Sequence, residues 1–585
     1  MHGKYTILRF LSPSSLDSLE SVVDSVKEGE KAIVNQRIFK NLKLDLPFIE
    51  RLINQKSTAF TFDIDNKIYN ANMLSGDSNL TPEKRVENAL KRFNKISTSE
   101  IVTPDWVCSD IINLIGKDEL IKIIKDGGII LDIASKTGEF AYLIYNLLKD
   151  DVEHEILRNS IYSIPTSSIT YEFTRRVYEI LDLNLNCISE KLFSYNLLKF
   201  KLKNKAGKEK NELNYDEIKK IIIQNIKNTI KGEENVKFGA VVGNPPYQEE
   251  TAIKETKNGQ KRRKSIFQYF QLLADKIDAE YSCMIYPGIR WIHQSGKGMK
   301  NFGRDLINDK KLSKLIFYPA ASDVFESSGI ADGISIVLKA KNKTEDGFDY
   351  SYCVAKKHKK IFLNNPGSDL IALNPQDNVI INKIKKFVTK NNLKYVHESL
   401  LSQKLFGIES DYVEKNLDKV QNYVKSIPYD KSKKIKLYTN DKSGSAGRCL
   451  WFLVDRDIPF NNKKYLSEWQ VVVSSAHPGG QAGRENQLEI IDNESIFGRA
   501  RVALKSFKTE KEAKNFYKYC KSNIIRYAFL MTNESLTSLA KYVPDILNYN
   551  KNNFIKFNKD IDKQLRILLN LSDSEMQYIK NKVNN

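Results

Sequence analysis

The stretch Gly127–Phe140, GGIILDIASKTGEF, decides the fold. Apolar residues fill its first half with weak alternation, which indicates a β-strand covered on both faces. A tight turn follows, and a helix is expected to begin near Glu139. A strand, a turn that contains glycine and a helix together are typical of the corner where α/β proteins bind nucleotide cofactors.

Four further apolar runs of strand type extend this pattern to about residue 338. They are KFGAVVG (237–243), YSCMIYP (281–287), KLIFYP (314–319) and DGISIVLKA (332–340). Helical segments separate these runs, and strands that alternate with helices form parallel sheets with helices on both faces. The sequence therefore predicts a doubly wound, Rossmann-like α/β domain.

The length of 585 residues predicts several domains. Short strands such as WQVVVSS (469–475) and RVALKSF (501–507) indicate a separate α+β module beyond the sheet, and a final helix is expected over about Lys559–Asn584. The predicted boundaries are a mostly helical region of unknown role at 1–92, the α/β domain at 93–345, a connecting segment at 346–395, the α+β domain at 396–545 and a helical tail at 546–585.

The charge balance points to a polyanionic partner. There are 92 Lys and Arg residues against 72 Asp and Glu residues, which gives a net charge of +20. This excess alone does not choose between nucleic acid, a membrane surface and a Lys-rich proteome. The cysteines and histidines have no metal-ligand spacing, so no metal site is expected. Without a signal peptide or a run of 18 apolar residues, we expect a soluble intracellular chain with no membrane partner.

The motif Asn244-Pro245-Pro246-Tyr247 follows the apolar strand 238–243 directly. An amino group on an aromatic ring is a poor nucleophile because its lone pair is delocalised into the ring. The Asn244 side-chain oxygen and the Pro245 carbonyl can accept its two hydrogens and localise that lone pair. Pro246 has no N–H to compete, and Tyr247 offers a face on which a base flipped from a duplex can stack.

The order of these motifs resembles a known family. Thr103-Pro104 before a helix, then DIASKTGEF, then NPPY and a basic C-terminal module are similar to gamma-class, adenine-specific DNA methyltransferases of restriction–modification systems. The large type II and IIG-like members, which carry a C-terminal target recognition domain, look most similar. The resemblance covers roughly residues 95–585. It implies a bacterial, cytoplasmic enzyme that transfers a methyl group from S-adenosylmethionine to the exocyclic amino nitrogen of a flipped adenine in double-stranded DNA.

The resemblance also assigns residues. The catalytic set would be Asn244, Pro245, Pro246 and Tyr247. The cofactor-binding set would be Thr103, Pro104, Asp132, Ala134, Gly138, Phe140 and Asn196. Two positions depart from the family pattern, because Lys136 stands where Gly is usual and Pro165 stands where an acid usually binds the ribose. Glu172 or an acid within 150–153 would have to replace that carboxylate.

Two groups of residues are candidates for DNA binding. Lys261, Arg262, Arg263 and Lys264 lie in a polar loop just past NPPY, where cations would contact phosphates or simply face solvent. In the C-terminal module, side chains able to contact base edges are Arg484, Asn486, Gln487, Arg499 and Arg501.

Three functions remain open on the sequence alone. The leading hypothesis is a site-specific DNA adenine methyltransferase with a possible separate restriction endonuclease or helicase subunit as partner. The second is a DNA-binding recognition subunit with weak catalysis that needs a partner, which the Lys136 and Pro165 departures favour. The third moves methyl transfer to RNA or to a protein glutamine. The sequence contains no GxxxxGK[ST] motif for a helicase motor of its own.

Overall fold

Buried apolar strands form the centre of the first of two units into which the chain divides. The structure is a computed structural model, and it describes residues 2–54, 62–63, 65–66, 80–93, 101–203, 209–229, 236–250, 263–295, 298–326, 330, 332–367, 370–444, 447–475, 488–531, 539–551 and 554–584. Residues 1–288 and 309–365 make up the first unit, and residues 289–308 and 366–585 make up the second. The domain boundaries given above stay predictions.

The strands of the first unit follow the apolar runs. In chain order they are β1 (Ile129–Ser135), β2 (Ile161–Pro165), β3 (Lys201–Lys203), β4 (Glu209–Leu213), β5 (Phe238–Gly243), β6 (Gln248–Glu250), β7 (Arg263–Ser265), β8 (Tyr281–Pro287), β9 (Leu312–Tyr318), β10 (Ile334–Ala340), β11 (Phe348–Val354) and β12 (Lys357–Leu363). The five runs predicted as strands form β1, β5, β8, β9 and β10, so that prediction is confirmed.

Eight of these strands form one sheet in the order β12-β11-β9-β10-β8-β5-β1-β2. Strands β2, β1, β5 and β8 pair in parallel. Strand β10 lies antiparallel between β8 and β9. The carboxyl ends of the four parallel strands therefore meet at one edge, where α/β sheets bind ligands.

Helices connect and cover this sheet. In the first unit they are α1 (His2–Leu11), α2 (Leu19–Asp24), α3 (Ala32–Leu42), α4 (Leu46–Asn54), α5 (Pro82–Arg92), α6 (Asp105–Ile115), α7 (Lys117–Lys125), α8 (Glu139–Leu148), α9 (His154–Ser160), α10 (Ser168–Ile180), α11 (Ser194–Leu197), α12 (Tyr215–Thr229) and α13 (Phe267–Ile277). Helix α8 begins at Glu139, as predicted.

Strand β8 shows that both faces of the sheet are covered. Tyr281 and Tyr286 are five positions apart, so their side chains point to opposite faces. Tyr281 lies beside Glu119 of α7, whereas the Tyr286 hydroxyl donates to Gln271 of α13 at 3.0 Å. Helices therefore pack on both faces, and the predicted α/β class is confirmed.

The N-terminal helices pack against α10. Phe39 belongs to the same buried cluster as Phe173 of α10. The guanidinium of Arg37 donates two hydrogen bonds to the Glu172 carboxylate, at 2.8 Å from Nε and 3.1 Å from Nη2. Asn41 donates a third at 2.7 Å. The N-terminal helices, to which the sequence assigned no role, thus supply the hydrogen-bond donors for the buried Glu172 carboxylate.

The second unit is α+β, as expected. Its helices are α14 (Ile289–Ile292), α15 (Met299–Ile307), α16 (Pro375–Lys390), α17 (Tyr412–Lys415), α18 (Glu510–Lys521), α19 (Asn523–Leu530), α20 (Ile561–Leu568) and α21 (Asp573–Asn584). Its strands are β13 (Lys394–Tyr395), β14 (Gln421–Asn422), β15 (Lys434–Asn440), β16 (Cys449–Asp455), β17 (Trp469–Ser474), β18 (Glu489–Ile491), β19 (Ser495–Phe497), β20 (Arg501–Phe507) and β21 (Pro544–Asp545). The main sheets run β14-β16-β15-β19 and β18-β17-β20. Within the part of the chain described, no helix has the length and apolarity that a membrane crossing requires.

The prediction of one final helix over about 559–584 is wrong, because α20 and α21 are separate. Asn570 takes a left-handed conformation with φ of 50° and ends the first helix. Ser572 and Glu575 then cap the second helix reciprocally: the Ser572 hydroxyl accepts from the Glu575 N–H, and the Glu575 carboxylate accepts from the Ser572 N–H. The S-x-x-E spacing is a recognised start signal, so the sequence did contain the break.

Replacing Arg37 by methionine should destabilise the first unit. The Glu172 side chain is only 1% exposed, so the change leaves a buried carboxylate without its cation. Losing one partner of a buried ion pair costs about 3–5 kcal/mol, and the 30% exposure of Arg37 places this case near the lower end. Urea unfolding of Arg37→Met measures the change. As a control, Lys91→Met removes one of the two exposed lysine partners of Glu87 and should leave stability nearly unchanged; equal effects of the two changes would contradict the prediction.

Candidate active site

The turn after β1, which is predicted to bind a cofactor, and the NPPY motif lie side by side. Strands β1 and β5 are parallel neighbours, and Asp132 is in register with Val242. Asn244 to Tyr247 leave β5 at the edge where residues 136–138 leave β1. The two segments that the sequence singled out separately therefore form one site.

The turn after β1 requires glycine at position 138. Gly138 has a φ of +80°, and a Cβ there would approach Val177 of α10 to 3.2 Å. Asp132, just before the turn, is fully buried, and its Oδ1 accepts from the Ala134 N–H at 3.1 Å. The turn therefore packs closely against α10. The Asp132 side chain before it accepts a hydrogen bond from the backbone at the end of β1.

Glu139 is a buried carboxylate that sequence reasoning did not assign to the site. It is 1% exposed, and its Oε2 accepts from the Thr137 N–H at 2.9 Å and from the Thr137 hydroxyl at 3.0 Å. The Thr103 hydroxyl lies 3.4 Å from its other oxygen. An acidic residue at the first position of a helix is stabilising in itself, because it interacts favourably with the helix dipole. The sequence therefore gave no reason to assign Glu139 a role beyond starting the helix.

Asn244 is held from two directions. Its side-chain amide donates from Nδ2 to Thr103 Oγ1 at 3.1 Å. The Lys136 ammonium donates to its main-chain carbonyl at 2.9 Å. Lys136 and Asn244 are only 4% and 3% exposed. Lys136, seen in the sequence as a departure from the family pattern, thus joins the cofactor turn to NPPY.

Asp132 has an unusually high pKa because it is buried. Burial, and next the negative charge of Glu139, raise the pKa of Asp132 from 3.8 to about 8. Asp132 Oδ2 is buried and has no hydrogen-bond partner among the residues described. A buried carboxyl oxygen without a partner is suited to a polar group brought by a ligand.

The remaining motif residues surround this centre. Pro245 and Pro246 are buried. Tyr247 accepts from the Ile266 N–H through its main-chain carbonyl at 3.1 Å. Its hydroxyl is buried without a partner in the described chain, and burial raises the pKa of this phenol well above its usual range.

Other predicted cofactor residues lie at the same edge of the sheet. Pro104 precedes α6, and Ala134 and Phe140 are buried around the turn. Asn196 lies in α11, which Ser194 fastens to β1 by donating to the Ile133 carbonyl at 2.7 Å.

The proposed substitutes for the missing ribose acid are placed elsewhere. Pro165 ends β2 in register with Ser135, the residue that ends β1. Glu172 is occupied by Arg37 and Asn41. Residues 150–153 follow the carboxyl end of α8, which runs back toward the opposite edge of the sheet.

Few of the candidate DNA-binding residues are described. Lys261, Arg262, Arg484, Asn486 and Gln487 lie outside the described residues, and Arg263 is described only as part of β7. Lys264 is exposed, with its ammonium 5.1 Å from the centre of the Tyr269 ring.

Two arginines of the second unit differ in exposure. Arg499 pairs with Glu409 at 2.9 Å and its side chain is 42% exposed. Arg501 is 7% exposed, and its guanidinium lies 5.3 Å from the centre of the Tyr438 ring. In this conformation Arg499 reaches solvent and Arg501 does not.

A comparison with protein-family models finds one match. Residues 159–325 match the model of the Eco57I restriction-modification methylase family. The matched range contains NPPY but not the cofactor turn. It supports a methyltransferase of a restriction–modification system. No curated protein matches the chain significantly.

The solved structures to which the chain is similar include restriction–modification proteins. The methyltransferase subunit of a type I system from Streptococcus thermophilus is 13% identical over 58% of this chain and 70% of that chain, with a TM-score of 0.32. The type ISP enzyme LlaGI, a nuclease-deletion mutant bound to a DNA substrate mimic, is 11% identical over 95% of this chain and 56% of that chain, with a TM-score of 0.47. The type IIG restriction endonuclease BpuSI is 11% identical over 100% and 76%, with a TM-score of 0.34. The match therefore spans little more than half the length of that LlaGI deletion mutant.

Asp132→Asn should stabilise the protein at alkaline pH. Because the pKa of Asp132 is raised to about 8 in the fold, the folded state keeps a proton that the unfolded state releases from about pH 4 upward. The free energy of unfolding therefore falls between about pH 4 and pH 8, and asparagine removes that loss. Thermal unfolding from pH 5 to 9 should show Tm values that converge at low pH and diverge toward pH 9, by about 2–4 °C per kcal/mol. The exposed Asp24→Asn serves as control, and parallel curves for wild type and Asp132→Asn would contradict the prediction.

Proposed function

We propose that the protein is a site-specific DNA adenine methyltransferase that uses S-adenosylmethionine within a restriction–modification or phage-defence system. The observation that carries the proposal is the buried Asn244, which follows β5 at the edge occupied by the cofactor turn and donates through Nδ2 to Thr103. With Nδ2 occupied, Asn244 Oδ1 remains as an acceptor. The family match over residues 159–325 supports the same activity.

The site residues suit the methionine end of the cofactor. Asp132 Oδ2 lacks a partner among the described residues, and Asp132 and Glu139 are two buried carboxyl groups that favour a cationic ligand. The predicted cofactor-binding residues would surround the bound cofactor: Thr103, Pro104, Asp132, Ala134, Gly138, Phe140 and Asn196. When bound, S-adenosylmethionine supplies an activated methyl group.

The chain's own residues would act on the target base. Asn244 Oδ1 and the Pro245 carbonyl would accept the two amino hydrogens of a flipped adenine, which makes the nitrogen more tetrahedral and localises its lone pair. Tyr247 would stack on the base. Catalysis then depends on position and hydrogen bonding, since no base of ordinary strength removes a proton from this amine.

Double-stranded DNA is the proposed partner. The net charge of +20 favours a polyanion. Lys261 to Lys264 and Arg484, Asn486, Gln487, Arg499 and Arg501 stay candidates for phosphate and base contacts. A separate restriction endonuclease or helicase subunit, and a bacterial cytoplasmic location, belong to the same proposal.

A second candidate function is a recognition subunit with weak catalysis. Pro165 ends β2 where the ribose acid is expected, and Glu172 is occupied by Arg37. Cofactor affinity without a ribose carboxylate would then depend on a partner subunit. Methyl transfer to RNA remains a further alternative, distinguished by where the product is found.

Expression in a methylation-free host tests the proposal. Long-read sequencing sensitive to modified bases should find methyladenine at one sequence motif with wild type and none with Asn244→Ala. Asn35→Ala is a matched control, because Asn35 is equally buried in the same unit but bonds Ser12 and Ser14. It should keep the modification. Unmodified DNA together with tight, salt-sensitive duplex binding would favour the recognition subunit, and methylated RNA would favour the third alternative.

Salt dependence should separate the two kinds of DNA contact. Lys264→Ala should weaken binding to every sequence and reduce the slope of log K against log salt by about 0.9. Arg499→Ala should instead cost about 1–3 kcal/mol at one position of the target. Fluorescence anisotropy over a salt series measures both effects. Lys310→Ala removes an exposed lysine before β9, at the opposite edge of the sheet, and should change neither.

A further inference from the structure

The Thr103 hydroxyl connects two buried groups from distant parts of the sequence. Its oxygen accepts from Asn244 Nδ2 at 3.1 Å, and it lies 3.4 Å from Glu139 Oε1 as a donor. Thr103, Glu139 and Asn244 are 1%, 1% and 3% exposed. The contact links residues 141 positions apart in the sequence.

The direction of these hydrogen bonds is determined by chemistry. A carboxylate only accepts, and Glu139 Oε2 already accepts twice from Thr137. The single proton of the Thr103 hydroxyl is therefore directed to Glu139, which leaves only lone pairs toward Asn244. Only the NH₂ end of the Asn244 amide can satisfy those lone pairs.

With its backbone held in place, the Asn244 side chain can still differ in which end of its amide faces the substrate. The Lys136 ammonium holds the Asn244 carbonyl at 2.9 Å, and Pro245 and Pro246 restrict the chain that follows. The two ends of an asparagine amide have nearly the same shape, so its neighbours decide which end faces the substrate. If the amide were reversed, its NH₂ would face the amino group of the target base and repel it.

We propose that Thr103, held by Glu139, is a positioning residue that directs Asn244 Oδ1 toward the target and thereby selects a base with an amino group over one with a carbonyl. The inference rests on the proposed methyltransferase function and gives Thr103 a role beyond cofactor binding. The partner it defines is a purine with a 6-amino group, and the excluded analogue is hypoxanthine, which carries an oxygen in that place.

Duplex binding measures the amide orientation without requiring turnover. Duplexes of the motif found by genome sequencing carry adenine or hypoxanthine at the target position. Wild type should prefer adenine by about tenfold, within the range of one good base contact. Thr103→Val removes the hydroxyl at constant shape and should bring this ratio near one, whereas Thr103→Ser keeps the hydroxyl and should restore it. Glu139→Gln can donate to Thr103 and should also reduce the ratio.

A second measurement separates positioning from cofactor binding. For Thr103→Val, kcat should fall about 100-fold, the size expected for a misplaced group, and by clearly more than the Kd for S-adenosylmethionine from calorimetry rises. Thr174→Val, which removes another buried hydroxyl bonded to Ser135 at 3.0 Å, should lower stability without changing the base preference.

The failures can be distinguished. If wild type methylates adenine but Thr103→Val keeps the preference, or loses cofactor binding in proportion to kcat, the positioning role is overturned and the proposed function stands. If wild type leaves the genome unmodified, no target motif is found, so the proposed function fails and the positioning role fails with it.

Discussion

The parallel pairing of β1 with β5 is the constraint on which the site depends. Because Asp132 is in register with Val242, the segments that follow the two strands emerge at the same edge and at nearly the same height. A slip of one residue would reverse the face of every side chain in β5 and separate the turn from NPPY. Both strands are fully buried, which strongly specifies the register.

Short-range patterns in the sequence were sufficient to predict the α/β fold and to single out the NPPY motif. Unbroken apolar runs predicted β1, β5 and β8 because buried parallel strands need no polar alternation. They could not reveal the partners of Lys136 or Glu172, since those bonds join residues 108 and 135 positions apart. Such contacts depend on which elements the fold brings together, and single residues of these types are common on protein surfaces.

Arg501 shows why residue type alone is weak evidence for a DNA contact. Arginine is suited to base edges, yet in the second unit its guanidinium is buried against Tyr438, with Nε and Nη1 unpartnered among the described residues. A buried cation carries a large desolvation cost, which stacking on an aromatic ring offsets only in part. Its role in base recognition stays a prediction, whereas Arg499 already reaches solvent.

Lys136 is a buried cation beside two buried carboxyl groups. Glycine at that position would leave Asp132 and Glu139 as two buried carboxyl groups with no cation from the turn itself. The Lys136 ammonium lowers the pKa of Asp132, but burial and Glu139 outweigh it, so Asp132 remains protonated near neutral pH. The lysine whose ammonium donates to the Asn244 carbonyl therefore also places a positive charge beside the buried carboxyl groups of the turn.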